Sequence, residues 1–305
     1  LQLSAIFISW APDMISDFKK DIIKFNWHFL KLEDTLVKQA AYLVTSYFIS
    51  QFEFPMKVVT QVFVAILRCS QAEARFIARK SLDLLAPVMH KRMAAAGTPN
   101  AWINWVKRVL FENNSAQNNM LYQFLINHPD LFYDSRELFI SHIIHHMGKV
   151  TFMSNSTPDN HTLAIDLASL ILYWEEKSLQ PNIEDDEKDG EDIVMDNDFS
   201  SDPSDKASIT KETGSGNAVP VGLRETCIAF LIRYVCSSNH RASETDLGLR
   251  ALKILSSLLS EKHWSNVNVK LFYFEKFLMY RDLGSENILF YCMNALDVLY
   301  VFFKN

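Results

Sequence analysis

Glycine is scarce in this sequence. Eight glycines stand in 305 residues, where average usage of about 7% would supply roughly 21. β-Sandwiches, barrels and nucleotide-binding α/β folds draw on glycine for turns and phosphate loops, so the shortage weighs against all three. Neither G-x-x-x-x-G-K-S/T nor G-x-G-x-x-G occurs, so P-loop and dinucleotide fingerprints are missing. Cysteine is scarce too: Cys69, Cys227, Cys236 and Cys292 form no CxxC pair. Each sits in an apolar helical run, as a small core residue of a reducing compartment does. No basic leader precedes the apolar run Leu3–Trp10. The longest apolar stretch, Ile288–Phe303, is broken by Asn294 and Asp297 and falls short of the roughly 20 residues that span a bilayer. The start at Leu1, without Met and inside an apolar run, is expected of a fragment of a longer protein.

Charge of one sign is confined to one place. Between Pro181 and Val221 stand 12 acids and 3 bases, a net of −9. The rest of the chain carries 24 acids and 27 bases, a net of +3, although the total is −6. The acidic stretch holds one aromatic, Phe199, and too little apolar surface to offset the entropy of ordering it. Residues 180–221 are therefore expected to be an acidic disordered loop, between a helical-repeat segment at 1–179 and its continuation at 222–305. Ser200, Ser201, Ser204 and Ser208 are its candidate phospho-acceptors. Its interleaved Glu191–Phe199 run is of the kind that folds on binding a groove, though a passive solvating insert is the plainer reading.

Elsewhere apolar residues recur at helical spacing. Leu163, Leu167, Leu170, Ile171 and Trp174 form one stripe; Leu223, Cys227, Phe230, Leu231, Tyr234 and Val235 form another. A third runs Leu247, Ala251, Ile254, Leu255, Leu258 and Leu259. Pro12, Pro55, Pro99 and Pro158 are placed as first-turn prolines; Ser135, and Ser243 or Thr245, as N-caps; and Gly97 and Gly284 as C-terminal caps or connectors. About twelve helices are expected, near 13–31, 34–51, 55–69, 72–95 (kinked or broken at Pro87), 100–112, 116–127, 135–150, 159–179, 222–238, 245–260, 268–281 and 286–303. Helix pairs at a loose period of ~40–47 residues indicate an all-α solenoid of HEAT or armadillo type. A single globular bundle is the competing all-α reading.

Candidate chemistry is thin. His142, His145 and His146 share one helix without a nearby Cys, Asp or HExxH glutamate, so a solvated helix flank is favoured over a metal site. Glu175 and Glu176 read as a solvated helix end. No G-x-S-x-G elbow is present. Neither a catalytic residue nor a cofactor or metal site is assigned. Lys19, Lys20 and Lys24; Arg75, Arg79 and Lys80; Lys91 and Arg92; and Lys107 and Arg108 make small basic clusters. A net of +3 outside the acidic stretch is not the domain-wide excess of a nucleic-acid binder, so docking of acidic partners is the use considered for them. The tryptophans fall mostly on core stripes, but Trp102 and Trp105 beside Lys107 and Arg108 form a candidate protein-contact patch.

Four stretches carry a resemblance. They are Glu73–Pro87 (EARFIARKSLDLLAP), Ala101–Leu110 (AWINWVKRVL), Leu163–Glu175 (LAIDLASLILYWE) and Phe230–Cys236 (FLIRYVC). In co-linear order they resemble the helical-repeat region of the transformation/transcription-domain-associated protein (TRRAP) family and its fungal counterparts, pseudokinases related to phosphatidylinositol 3-kinases. The resemblance implies a HEAT solenoid in a nuclear, non-enzymatic scaffold. It also implies histone acetyltransferase complexes of the SAGA and NuA-four types, with other subunits and acidic activation domains as partners; the charge balance and the short apolar runs predict neither direct nucleic-acid binding nor a membrane span. The kinase-like region lies outside these residues, so no catalytic residue is carried over. A transport or coat scaffold unrelated to transcription, and an enzyme with a dispersed site, are the other readings.

Overall fold

Side-chain caps mark where two of the helices begin. In a computed structural model, which describes residues 1–69, 71–112, 115–180, 219–237, 247–270, 274 and 286–304, Asp34 accepts the Val37 N–H at 2.8 Å and opens a helix. Thr157 Oγ1 accepts the Asn160 N–H at 3.3 Å, with Pro158 in the first turn of the next. Such caps satisfy amides that the helix itself leaves free.

Thirteen α-helices and one 3-10 turn are formed among the described residues. They are α1 Gln2–Trp10, the 3-10 turn Asp13–Phe18, α2 Lys19–Leu30, α3 Thr35–Gln51, α4 Met56–Leu67, α5 Arg75–Ala95 and α6 Ile103–Phe111. There follow α7 Ser115–Asn127, α8 Pro129–Tyr133, α9 Glu137–Thr151, α10 Pro158–Ser178, α11 Val221–Ser237, α12 Leu247–Leu258 and α13 Glu286–Lys304.

Helices α1 and α8 fall outside the expected set, and the helix expected at 13–31 divides into the 3-10 turn and α2. Pro158 is a first-turn proline as expected, but Pro55 and Pro12 are N-caps, and Pro99 stands in a turn ahead of α6. Ser135 is not the cap of α9; Arg136 is, and Ser135 lends only its carbonyl to Leu138, at 3.1 Å. Of the helix expected at 268–281, residues 268–270 are non-helical and Phe274 is helical. The rest of it, with Ser243, Thr245 and Gly284, lies outside the described residues, as does the acidic stretch at 181–218.

Pro87 does not break α5. The ring removes one amide donor at a cost of about 3 kcal/mol. Leu82, Leu85, Ala86 and Met89 on either side are fully buried, and their packing holds the helix together while Pro87 itself faces solvent. The helix ends at Gly97, whose φ of +76° suits glycine. There Gly97 N–H donates to Ala94 O and Thr98 N–H to Met93 O, both at 2.9 Å, the paired bonds of a Schellman cap.

The helices stack in consecutive pairs: α2 with α3, α4 with α5, α6 with α7, α9 with α10, and α11 with α12. The second members form a continuous row, α3–α5–α7–α10–α12. On the other side α4 lies beside α6, α9 beside α11, and α11 beside α13. One core cluster runs unbroken from Ile49 to Val301. A smaller one, built on Ile8, Val44 and Phe48, seats α1 on α3. An aromatic chain, Phe63–Trp102–Phe132–Phe139, edge-on at its two outer contacts and tilted at the middle one, links successive pairs with centroid spacings of 5.8, 5.2 and 5.6 Å. This architecture is a helical-repeat solenoid.

Polar ties between pairs recur at one repeat length. Arg92 Nη2 donates to the Phe52 carbonyl 40 residues back, Arg79 Nη1 to Gln123 44 residues on, and Trp174 Nε1 to the Pro129 carbonyl 45 residues back. Asn119 Nδ2 donates to Asn160 at a separation of 41, and Tyr173 to Asp130 at 43. Two later ties span 84 and 89 residues, Arg250 to Asp166 and Trp264 to Glu175. Taking out the 42 residues between Ser178 and Val221 leaves 42 and 47. The two helices flanking that stretch meet at Trp264. Its Nε1 donates to Glu175 at 2.7 Å, and Arg224 of α11 lies 5.9 Å from its ring. Replacing residues 181–218 by a short Gly/Ser linker is therefore expected to leave amide-exchange protection of α9–α12 unchanged. Trp264→Phe, which strands the Glu175 carboxylate without its donor, is expected to weaken the same helices by roughly 1–3 kcal/mol.

Candidate protein-interaction surface

Helix α6 turns Ile103, Val106, Val109 and Leu110 inward. Trp102, at its N-cap, goes inward with them and is fully buried between Phe63 and Phe132. The expected patch of Trp102, Trp105, Lys107 and Arg108 is corrected accordingly: Trp102 is core, because the entry to α6 points into the aromatic chain. Trp105 is half-buried against the core, and Arg108 is exposed. Lys107 turns toward Phe111, its Nζ 5.6 Å from the ring. The four side chains do not share one surface. Ser200, Ser201, Ser204 and Ser208 lie outside the described residues.

The histidines separate by helical phase. His142 and His145 are exposed, and His142 stacks on Phe111 at 3.7 Å. His146 is not a solvated flank: it is 7% exposed and lies tilted over Tyr122. Asn119 donates its amide to Asn160, so its Oδ1 is left to accept from His146 Nε2, 3.1 Å away. Burial, helped by Lys149, lowers the His146 pKa to about 4. Among the described residues no three His, Cys, Asp or Glu side chains converge as metal ligands.

Two other readings change. Glu175 is buried and accepts from Trp264, while Glu176 is solvated as expected. Arg92 is no free basic patch; it donates to the carbonyls of Ile49, Phe52 and Phe54 at 3.0–3.1 Å and caps the C-terminal end of α3. Both partners are a repeat or more away, so no local pattern signals them. Burial pushes the Cys227 and Cys236 thiols up to about 12, and Glu175 adds to the shift of Cys227. They remain protonated at neutral pH and make poor nucleophiles.

What the fold displays outward is apolar surface at its two ends and a basic groove near one of them. On α1, Leu3, Ile6, Phe7 and Trp10 follow helical spacing yet are 45–85% exposed. On α13, Leu289, Leu296, Tyr300 and Phe303 do the same at 47–88%. Trp10 thus departs from the core role expected of the tryptophans. No described helix is long and apolar enough to cross a membrane. Apolar side chains exposed at regular helical spacing are uncommon on a free surface.

These features define a helical-repeat module. The chain belongs to the Tra1 HEAT repeat ring region family, whose model matches residues 1–305. It is 66% identical over 310 residues to the Saccharomyces cerevisiae SAGA complex/NuA4 acetyltransferase complex subunit TRA1, a match covering all of this chain and 8% of that protein. It is 37% identical over 178 residues to a probable transcription-associated protein 1 of Dictyostelium discoideum, covering 57% of this chain and 4% of that protein. To the human transformation/transcription domain-associated protein it is 24% identical over 327 residues, covering 92% of this chain and 8% of that protein. The chain therefore spans less than a tenth of the length of these relatives.

The His146 environment generates a pH dependence with a defined sign. Its folded pKa lies below the ordinary 6.5, so the unfolded chain takes up the proton first. The contribution is intact above pH 6.5 and is lost progressively between 6.5 and about 4. The full loss is about 3 kcal/mol. Amide-exchange protection in α7 and α9 is expected to fall over that window, and His146→Gln is expected to flatten the dependence.

Proposed function

We propose that this chain is a non-catalytic scaffold segment of a nuclear transcription coactivator subunit shared by histone acetyltransferase complexes of the SAGA and NuA4 types. The observation that carries the reading is the end-to-end match to the Tra1 HEAT repeat ring region, with 66% identity to a protein named as a subunit of both complexes. The physical reading agrees with it. Stacked pairs bury one continuous core, and the surfaces left over are apolar stripes and an open groove suited to macromolecules rather than to an enclosed substrate.

In this role the chain contributes rigidity and contact surface. The stripes on α1 and α13 pack against further helices of the same long protein or of neighbouring subunits, and the open faces receive other subunits and acidic activation domains. The stretch between α10 and α11 is an insertion within the repeat series, not a domain boundary. The return of the cross-repeat separations to 42 and 47 once it is removed supports this.

The test is affinity purification of the full-length protein carrying Phe132→Asp, which places a charge in the fully buried aromatic chain. Reduced recovery of SAGA and NuA4 subunits and weakened activator-driven transcription are expected. Recovery of both complexes with full composition and normal activator response would contradict the proposal.

A further inference from the structure

Helix α2 and the start of α4 enclose a groove of about 530 Å³ instead of closing on each other. Its floor is apolar: Ile23 and Trp27 from α2, Phe54 from the α3–α4 connection, and Val58 from α4. A second hollow of about 550 Å³ shares Ile23 and Phe54 and extends the groove past Phe52. Lysines rim it. Lys24 and Lys31 border the first hollow; Lys19 and Lys20 border the second, with Lys19 Nζ 4.3 Å from the Phe52 ring. Glu53 is the acid in the lining. Among the described residues, the one carboxylate paired with these lysines is Asp21, 3.9 Å from Lys24, and both side chains are 78% exposed. Such a pair is weak and easily exchanged.

An apolar floor with a cationic rim selects its ligand by chemistry. A bare polyanion would leave Trp27 and Phe54 wet, and a neutral apolar helix would bury lysine heads without counter-charges. Nucleic acid is disfavoured further because the basic groups are local and the chain outside 181–221 is only +3. α2 is 12 residues long, so the groove suits about three turns of a helix laid beside it.

We infer that the α2–α4 groove docks an acidic amphipathic segment of a protein partner, with aromatic or leucine anchors on the floor and Asp and Glu against the lysine rim. This deepens the activator-docking role proposed above and rests on it for the class of partner.

The experiment measures fluorescence anisotropy of a labelled synthetic peptide of about 20 residues, Asp/Glu interleaved with Phe/Leu, against the full-length protein. Three further probes accompany it: the peptide with Phe/Leu replaced by Ala, an oligo-aspartate of equal charge, and a short DNA duplex. Lys20→Glu/Lys24→Glu/Lys31→Glu is expected to weaken the amphipathic peptide at least about tenfold, and wild-type binding to fall with salt. A photo-crosslinking residue at position 31 is expected to capture the peptide. The milder triple lysine-to-glutamine variant is expected to weaken binding in the same direction, with α2–α4 exchange protection unchanged. Equal peptide binding by wild type and both variants would overturn the groove while leaving docking elsewhere on the scaffold intact. Oligo-aspartate or DNA binding as tightly as the amphipathic peptide would overturn the chemistry assigned to it. Absence of binding by any probe to the wild-type protein would sink the groove and the activator-docking role together.

Discussion

An amphipathic helix pair of this size has no way to bury its apolar face alone. Every other property of the molecule depends on that constraint. Each pair covers the face of the one before it and exposes a new face to the one after, which is why a single cluster runs from Ile49 to Val301 without a break. Leu3, Ile6, Phe7 and Trp10 on α1, and Leu296, Tyr300 and Phe303 on α13, are core-type residues that stay exposed in this chain.

Apolar stacking is non-directional, so it fixes burial better than register. Register comes from the polar ties. Arg92 finds three carbonyls at the end of α3, Trp174 reaches the Pro129 carbonyl that opens α8, and Trp264 reaches the Glu175 carboxylate on α10. Each tie satisfies a donor or acceptor that would be costly to leave unpaired in the interior. Slipping one pair against the next would break several at once. The lysine groove between α2 and α4 is a different kind of place. There two neighbouring elements stay apart, and the apolar floor remains reachable from solvent.

The solenoid was legible because helical spacing and scarce glycine report on backbone periodicity, which is local information. Most helix limits were placed within a few residues for the same reason. The short α8 was not legible: five residues carry too little periodicity, and Pro129 alone does not distinguish a helix start from a turn. α1 has no side-chain cap at Leu1 to mark its start. The surface was harder still. Trp102 and Trp105 look alike in sequence, yet one is core and the other half-buried, because the entry angle of α6 decides and no local pattern encodes it. His146 and Glu175 looked solvated because polar residues usually are; their partners, Asn119 and Trp264, come from other helices. Lys19, Lys20 and Lys24 are adjacent in sequence, but Lys31 and the floor residues Phe54 and Val58 join them only through the fold.

Nearest-neighbour stacking separates this fold most sharply from a globular bundle of the same helices. The most direct measurement is hydrogen exchange, helix by helix, in the full-length protein carrying Phe132→Ala at the centre of the aromatic chain. In a stacked array, protection falls most in α7, α8, α9 and α10, less in α5 and α12, and not measurably in α2 or α13. A uniform loss across the thirteen described helices, as a single cooperative bundle would give, would contradict the stacked-pair description.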